Sequence, residues 1–243
     1  MSLATTILLA TFATSTPVSV GPGTKTTLRY KAAPAQGDLI RDGKHPLVLL
    51  LPDAGKRAKV FRDLAERLHR GGFAVAAINY PKKGAADQAW KAARAARDWA
   101  LAQPAVDPER IFIVGAEFGA AVAIDTAGRE PAGVAGLVLL SPRLNPEGLA
   151  VLPMLSKLQP VPVLMTADIT DRNDLNTLRT VLKLRFTDVR RILRAKLGRG
   201  SAQLSNSPSL ADQLVITTRT WAEKNCDRTR QKKADTLDEG CTK

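Results

Sequence analysis

Six predicted strands, five of which are continuous apolar runs, alternate with amphipathic segments and constrain this chain more than any other feature of its sequence. The first run covers residues 47–51, and the third covers residues 111–114. A run that is apolar at every position is typical of a strand buried on both faces of a parallel sheet. The other predicted strands cover residues 73–78, 134–140, 161–165 and 189–193. The predicted helices cover about residues 58–70, 85–103, 120–127 and 209–224.

Strands that alternate with helices predict an α/β fold with a doubly wound, mostly parallel sheet flanked by helices. Reactive groups are then expected at the carboxyl ends of the strands. We expect one domain over residues 25–225, with a minimal lid. Residues 1–24 carry no charged side chain and are predicted to be either a signal peptide or an N-terminal strand. Residues 226–243 are predicted to form a polar C-terminal tail.

The two cysteines, Cys226 and Cys241, bear on the compartment of the protein. A disulfide between them would contribute about 3 kcal/mol in an oxidising environment, whereas the competing interpretation is two free thiols. The sequence is equally compatible with a secreted or periplasmic location and with a cytoplasmic one. No apolar stretch of about 18 uncharged residues follows residue 24, so we expect no transmembrane segment.

Basic residues outnumber acidic ones by 36 to 23, which gives a formal net charge of +13. This excess favours an anionic surface or polymer as a partner. Eight basic residues lie in one stretch, namely Arg179, Lys183, Arg185, Arg190, Arg191, Arg194, Lys196 and Arg199. The stretch has one aromatic residue, Phe186, and spans a predicted helix and strand. A solvated face is therefore the competing interpretation.

The most informative short pattern covers residues 114–121, where a predicted strand leads directly into a helix. Gly115 and Gly119 flank Glu117 at a spacing that leaves room for a strained turn with an exposed central side chain. This pattern resembles the nucleophile elbow of the α/β-hydrolase fold. Residues 47–55, 71–81, 107–111 and 162–171 resemble other elements of that fold in the same order. The resemblance covers about residues 40–224 and is closest to dienelactone-hydrolase-like and small esterase-like members.

The resemblance also implies catalytic positions, and this chain fills them with unusual residues. Glu117 stands where the family carries its nucleophile, which is usually Ser and sometimes Cys or Asp. Asp171 corresponds to the family acid, and Gln203 or a neighbour stands in the loop of the family histidine. Asp53 lies in the turn that corresponds to the oxyanion site, where a carboxylate would repel a developing oxyanion.

The chain contains two histidines, and neither is placed for catalysis. His45 precedes a strand, at the end opposite the expected site. His69 lies in the last turn of a predicted helix, where a cation is simply favourable. Without an imidazole, neither serine activation nor hydrolysis of a carboxylate ester intermediate has its usual general base.

Glu117, Asp53 and Asp171 are expected to converge at one end of the sheet. Converging carboxylates could share a proton as an acid/base pair or hold a cation. The competing interpretation is a vestigial pocket in which Asp168 or Asp171 caps the helix that starts near residue 172. In that case a basic neighbour neutralises Glu117, for which the candidates are Lys56, Arg57 and Lys82.

Three functions are compatible with these residues. The leading hypothesis is a catalytically degenerate protein of this fold that binds a small ligand or an anionic partner near Glu117. The second is an active hydrolase of esters or lactones that uses Glu117 and Asp171, and the third is an electrostatic binder of an anionic polymer. We expect neither a cofactor nor a metal. The candidate binding residues are Asp53, Ala54, Phe118 and Tyr80.

Overall fold

The sheet of the computed structural model contains eight strands in the order β1-β2-β4-β3-β5-β6-β7-β8. The model describes residues 15–21, 24–32, 38–80, 86–143, 149, 151–158, 161–181, 183 and 188–238. The strands are β1 (Ser15–Gly21), β2 (Thr24–Lys31), β3 (His45–Leu51), β4 (Ala74–Asn79), β5 (Val106–Ala116), β6 (Val134–Leu140), β7 (Pro162–Asp168) and β8 (Asp188–Arg194). β1 and β2 are antiparallel to their neighbours, and the other strands pair in parallel. The predicted mostly parallel sheet is confirmed.

Helices flank both faces of the sheet. They are α1 (Arg62–Arg70), α2 (Ala86–Leu101), α3 (Phe118–Arg129), α4 (Val151–Lys157), α5 (Arg172–Val181), α6 (Ala202–Asn206) and α7 (Pro208–Asp238), and a 3₁₀ turn covers Ala58–Phe61. The sequence predicts a last helix that ends near residue 224, but α7 continues to Asp238 through most of the predicted polar tail. Cys241 lies outside the described residues, so the predicted disulfide stays a prediction.

The core forms two layers because adjacent residues of each strand point to opposite faces of the sheet. In β3, Leu47, Leu49 and Leu51 belong to one layer, together with buried residues of α2 and α3. Val48 and Leu50 belong to the other layer, with buried residues of α1 and α7. All seven residues of β3 are buried. This explains why residues 47–51 of the strand are apolar at every position.

The N-terminal segment contributes a strand to the sheet. β1 lies within the 1–24 segment and pairs with β2, which in turn pairs with β4. The strand alternative for this segment therefore describes residues 15–21, while residues 1–14 lie outside the described part of the chain. Among the described residues, no helix combines the length and apolar character needed to cross a bilayer.

Candidate functional site

Glu117 lies at the sharp turn between β5 and α3. Its backbone has a φ of 49° and a ψ of −103°, a conformation that is strained for a residue with a side chain. The Glu117 N–H donates to the carbonyl oxygen of Leu140 at the end of β6, with an N···O distance of 2.8 Å. A Cβ on Gly115 would lie 2.3 Å from the Gly119 carbonyl oxygen. The two glycines of the sequence pattern therefore serve close backbone packing at an elbow.

The carboxylate of Glu117 forms an ion pair with Arg143, which follows the end of β6. The Glu117 side chain is 22% exposed, and that of Arg143 is 55% exposed. The sequence predicted a basic partner for Glu117, but the residues that it suggested do not include Arg143. Lys56 and Arg57 are exposed residues of the turn after β3, and Lys82 lies outside the described residues.

Asp53, in the turn after β3, is buried and bonded to the loop before α6. Its carboxylate accepts hydrogen bonds from the Ser201 N–H, at 3.1 Å, and from the Ser201 hydroxyl. A Cβ on Gly200 would lie 1.7 Å from Asp53 Oδ1 and 3.0 Å from the Cβ of Glu117. Asp53 and Glu117 therefore approach the same glycine from two strand ends, as the sequence predicted. The following residue, Ala54, is exposed.

Tyr80 and Phe118 pack edge to face beside this turn, with ring centroids 5.7 Å apart. The Tyr80 hydroxyl is buried and has no hydrogen-bond partner among the described residues. Burial, reinforced by the negative charge of Asp53, raises the pKa of Tyr80 well above its ordinary value. The two aromatic candidates therefore lie next to the elbow, where they pack against each other and against the hydrophobic core.

Asp171 caps helix α5, as one interpretation of the sequence proposed. Its Oδ1 accepts from the N–H groups of Asn173, at 2.9 Å, and Asp174, at 3.4 Å. Its other oxygen pairs with Arg199 of the loop before α6; the Asp171 side chain is 16% exposed and that of Arg199 is 46% exposed. Burial opposes ionisation of Asp171, but the hydrogen bonds from Arg199 and the helix N-terminus lower its pKa. The Asp171 carboxylate is thus held in place by the N-terminus of α5 and by Arg199.

Gln203 is fully buried in a polar network at the carboxyl ends of β6 and β7. Its amide donates to Ser141 Oγ at 2.7 Å and to the Gly198 carbonyl at 3.0 Å, and its oxygen accepts from the Thr166 hydroxyl. The residue of this loop that approaches Glu117 is instead Gly200, on which a Cβ would lie 3.0 Å from the Glu117 Cβ. Gln203 therefore hydrogen-bonds to Ser141, Gly198 and Thr166, and its side chain does not lie beside Glu117 as a general base would.

Two further members of this network were not identified from the sequence. Ser141, at the end of β6, has a φ of 46° and donates its hydroxyl to Asp174 at 2.7 Å. Asp174, on α5, also accepts from the Asp168 N–H at 3.0 Å, and burial raises its pKa. A positive φ at a serine is visible only in the folded backbone, so no sequence signal pointed to it.

Asp168 holds the loop after β8 against the end of β7. It accepts from the Thr170 N–H and hydroxyl and from the Gly198 N–H at 2.9 Å. Burial raises the pKa of this carboxyl, but the hydrogen bonds outweigh burial and lower the pKa from 3.8 to about 2. Folding therefore favours the ionised form. The resulting stability is present above about pH 4 and is lost as the pH falls through 2.

We expect Asp168→Asn to lower the free energy of unfolding by about 2 kcal/mol at pH 7, because the substitution removes this preference for the charged form. Urea unfolding between pH 2 and pH 8 measures the effect. The difference from the wild type should shrink below pH 4 and vanish near pH 2. Asp98→Asn, at an exposed position on α2, is the control. A difference independent of pH would contradict the assigned ionisation.

A cavity of about 520 Å³ opens beside Glu117. It lies between the carboxyl ends of β5 and β6, helix α5 and the loop before α6. The residues that line it are Glu117, Ser141, Pro142, Arg143, Asn173, Asp174, Asn176, Thr177, Thr180 and Arg199. Asp53, Ala54, Phe118, Tyr80 and Gln203 are not among the lining residues. The cavity thus extends from Glu117 toward α5, away from the predicted binding residues.

The three carboxylates expected to converge are engaged separately. Glu117 pairs with Arg143, Asp171 pairs with Arg199, and Asp53 bonds Ser201. Within the described ranges, no group of three or more His, Cys, Asp or Glu side chains is arranged to hold a metal ion. The arrangement therefore offers two guanidinium-carboxylate pairs at a polar cavity.

The basic stretch is distributed over several elements. Arg190 and Arg194 lie on β8, at one edge of the sheet. The Arg190 guanidinium lies 5.8 Å from the centre of the Trp221 ring, and Arg194 donates to Ser207 at 2.6 Å. Charged residues on an edge strand also oppose unwanted strand pairing. These contacts within the protein account for Arg190 and Arg194 without a bound polymer. Binding of an anionic polymer stays a prediction.

The strand order and the elbow after β5 together define the α/β-hydrolase architecture. Residues 48–233 match the family model described as the alpha/beta hydrolase family. This chain belongs to that family. No curated protein sequence matches it significantly.

Several solved structures share the fold. A 2,6-dihydroxy-pseudo-oxynicotine hydrolase is 15% identical over 87% of this chain and 69% of its own, with a TM-score of 0.70. A dienelactone hydrolase from Anabaena variabilis is 18% identical over 86% of this chain and 95% of its own, with a TM-score of 0.66. Est1E from Butyrivibrio proteoclasticus is 12% identical over 88% of this chain and 100% of its own, with a TM-score of 0.68. At such identities the similarity establishes the fold and not the reaction.

Proposed function

We propose that this protein is a catalytically inactive member of the α/β-hydrolase family that binds a small polar ligand in the cavity beside Glu117. The observation that carries the proposal is the ion pair between Glu117, at the elbow, and Arg143. A nucleophile must be free to approach its substrate, and an ion pair makes a carboxylate a poorer nucleophile. Here the elbow side chain is held by a cation at the cavity wall.

Among the described residues, no histidine lies beside Glu117 to complete a reaction through it. An ester formed on a carboxylate must be hydrolysed by a water molecule that a general base activates. His45 is buried at the start of β3, and its Nδ1 lies 3.3 Å from the Gly72 carbonyl oxygen. His69 is in the last turn of α1. Both histidines therefore lie on elements remote from the elbow.

Asp53 argues against hydrolysis for a second reason. Acyl transfer creates negative charge on the substrate oxygen, and an oxyanion site stabilises this charge with donors. The turn after β3 instead carries a buried carboxylate that takes its own donors from Ser201. A developing oxyanion there would meet a like charge, which raises the barrier rather than lowering it.

The alternative of an acid/base pair between Glu117 and Asp171 receives no support from the contacts. Such a pair needs one carboxyl that stays protonated near neutral pH. Asp171 is bonded to Arg199 and to two helix N–H groups, and these lower its pKa. Glu117 has its own guanidinium. Each carboxylate therefore pairs with its own guanidinium.

An esterase assay tests the proposal. We expect the purified protein and its Glu117→Ala variant to give the same background rates on a panel of short-chain activated esters and lactones. Glu109→Ala, in the amino-terminal half of β5, is the matched control for contaminating esterases, because Glu109 is an exposed glutamate far from the elbow. Turnover by the wild type and Glu109→Ala that disappears in Glu117→Ala would make Glu117 a catalytic residue and overturn the proposal.

A further inference from the structure

We infer that the cavity selects a small hydroxylated carboxylate, with the ligand carboxylate between Arg143 and Arg199 and its hydroxyl groups along helix α5. This inference deepens the proposed function and rests on it. It concerns the chemistry of the ligand, which neither the family nor the fold determines. Three features support it: the cavity lining, the two arginines and the side chains of α5.

The cavity lining is polar almost throughout. Of the ten lining residues, nine have polar or charged side chains, and Pro142 is the exception. Small-molecule sites are mostly lined by apolar side chains, with a few polar groups that fix orientation. This cavity reverses that proportion. A ligand rich in hydroxyl groups therefore suits these side chains better than an acyl chain or an aromatic ring does.

The two arginines line the cavity and are partly exposed. Each arginine side chain is about half exposed, and each pairs with a carboxylate that is less exposed than itself. Arg143 is held by Glu117, and Arg199 is held by Asp171. A guanidinium has five N–H donors, so one carboxylate leaves donors available for a second acceptor. A ligand in the cavity can therefore accept hydrogen bonds from both arginines while their ion pairs stay in place.

Fixed arginines match a carboxylate in particular. Their planar donor groups bind carboxylates through two parallel hydrogen bonds, and fixing the side chain in advance reduces the entropy lost on binding. Both arginines reach the site from loops at strand ends, Arg143 after β6 and Arg199 after β8. They line the same cavity from these two loops. The anionic group of the ligand therefore belongs at this end.

Helix α5 supplies the hydroxyl-binding face. The side chains at positions i, i+3, i+4 and i+7 of one helical stripe all line the cavity, and they are Asn173, Asn176, Thr177 and Thr180. A stripe with this spacing that faced the core would ordinarily be apolar. Amide and hydroxyl groups both donate and accept hydrogen bonds, as the hydroxyl groups of a polyol do. The stripe thus complements several adjacent hydroxyl groups.

Isothermal titration in 0.15 M NaCl tests this inference with four probes that separate the chemistry. Gluconate carries both features, glucitol lacks the carboxylate, hexanoate lacks the hydroxyl groups, and inorganic phosphate offers an anion alone. We expect saturable binding of gluconate and at least tenfold weaker binding of the other three. Equal binding of glucitol, hexanoate or phosphate, or no binding of gluconate, would overturn the inference.

Variants locate the binding within the cavity. Arg143→Gln, Arg199→Gln and Thr177→Val should each weaken gluconate binding at least tenfold, while Arg191→Gln, an exposed arginine on β8, should not change it. Thermal unfolding checks that each variant is folded. Unchanged binding in the cavity variants would overturn the assignment. If the esterase assay instead gave turnover that depends on Glu117, the proposed function would fail independently of the gluconate result.

Discussion

Replacing Gln203 with leucine is expected to lower the free energy of unfolding by about 3 kcal/mol, because leucine fills a similar volume but makes none of the hydrogen bonds. The change leaves the Thr166 hydroxyl and the Gly198 carbonyl without their partner, and it removes a donor from Ser141. A buried polar group that loses its partner costs about 1–3 kcal/mol. For a chain of this size, thermal unfolding should shift down by about 6–12 °C.

The matched control for this substitution is Ser205→Ala. Ser205 is exposed on the same short helix, so its replacement should change stability by less than about 0.5 kcal/mol. The esterase background should not differ between the two variants. A Gln203→Leu protein as stable as the wild type would mean that the network is not formed in solution. The hydrogen bonds would then no longer explain why Gln203 is held away from Glu117.

Gly119→Ala is expected to destabilise the protein by at least about 3 kcal/mol, because the new methyl group has no space. Its carbon would lie 2.1 Å from the Leu51 carbonyl oxygen and 2.5 Å from that of Pro52, so backbone rather than a mobile side chain must move. Helix α3 would have to separate from the end of β3. Urea unfolding of the variant measures the loss, and insolubility on expression would agree with it.

Gly55→Ala is the control for this second substitution. Gly55 also lies beside the site, in the turn after β3, but a Cβ there would meet nothing within 4 Å. Its φ of +71° alone should cost about 1 kcal/mol. Equal effects of the two alanines would contradict the close approach of α3 to β3.

The sequence predicted the central strands of the sheet because they contain continuous apolar runs, such as residues 47–51 and 111–114, a signal that needs no long-range information. Helix α4 was missed, since its seven residues include Pro153 and are too few to show a helical period. The continuation of α7 beyond residue 224 was missed for a different reason: a polar helical stretch has no apolar stripe to reveal it.

At the site, the sequence predicted the elbow and the position of Asp53 near it, and it offered helix capping by Asp168 or Asp171 as one of its alternatives. It did not predict the partners of the carboxylates. Arg143 is 26 residues from Glu117, and Arg199 is 28 residues from Asp171. These pairs form because neighbouring parallel strands bring distant loops to one edge of the sheet. No local spacing encodes such a meeting, and many basic residues were available as alternatives.

The elbow has a consequence for how proteins of this architecture diverge. Gly119 is required by the close approach of helix α3 to the end of β3, and Gly115 by the close approach of α3 to β5, whatever side chain stands between them. Exchange of that side chain therefore leaves the packing of the turn intact, whereas a larger residue at either glycine would disturb it. The glycine pattern thus reports backbone packing, and it does not by itself report the chemistry of the residue that it encloses.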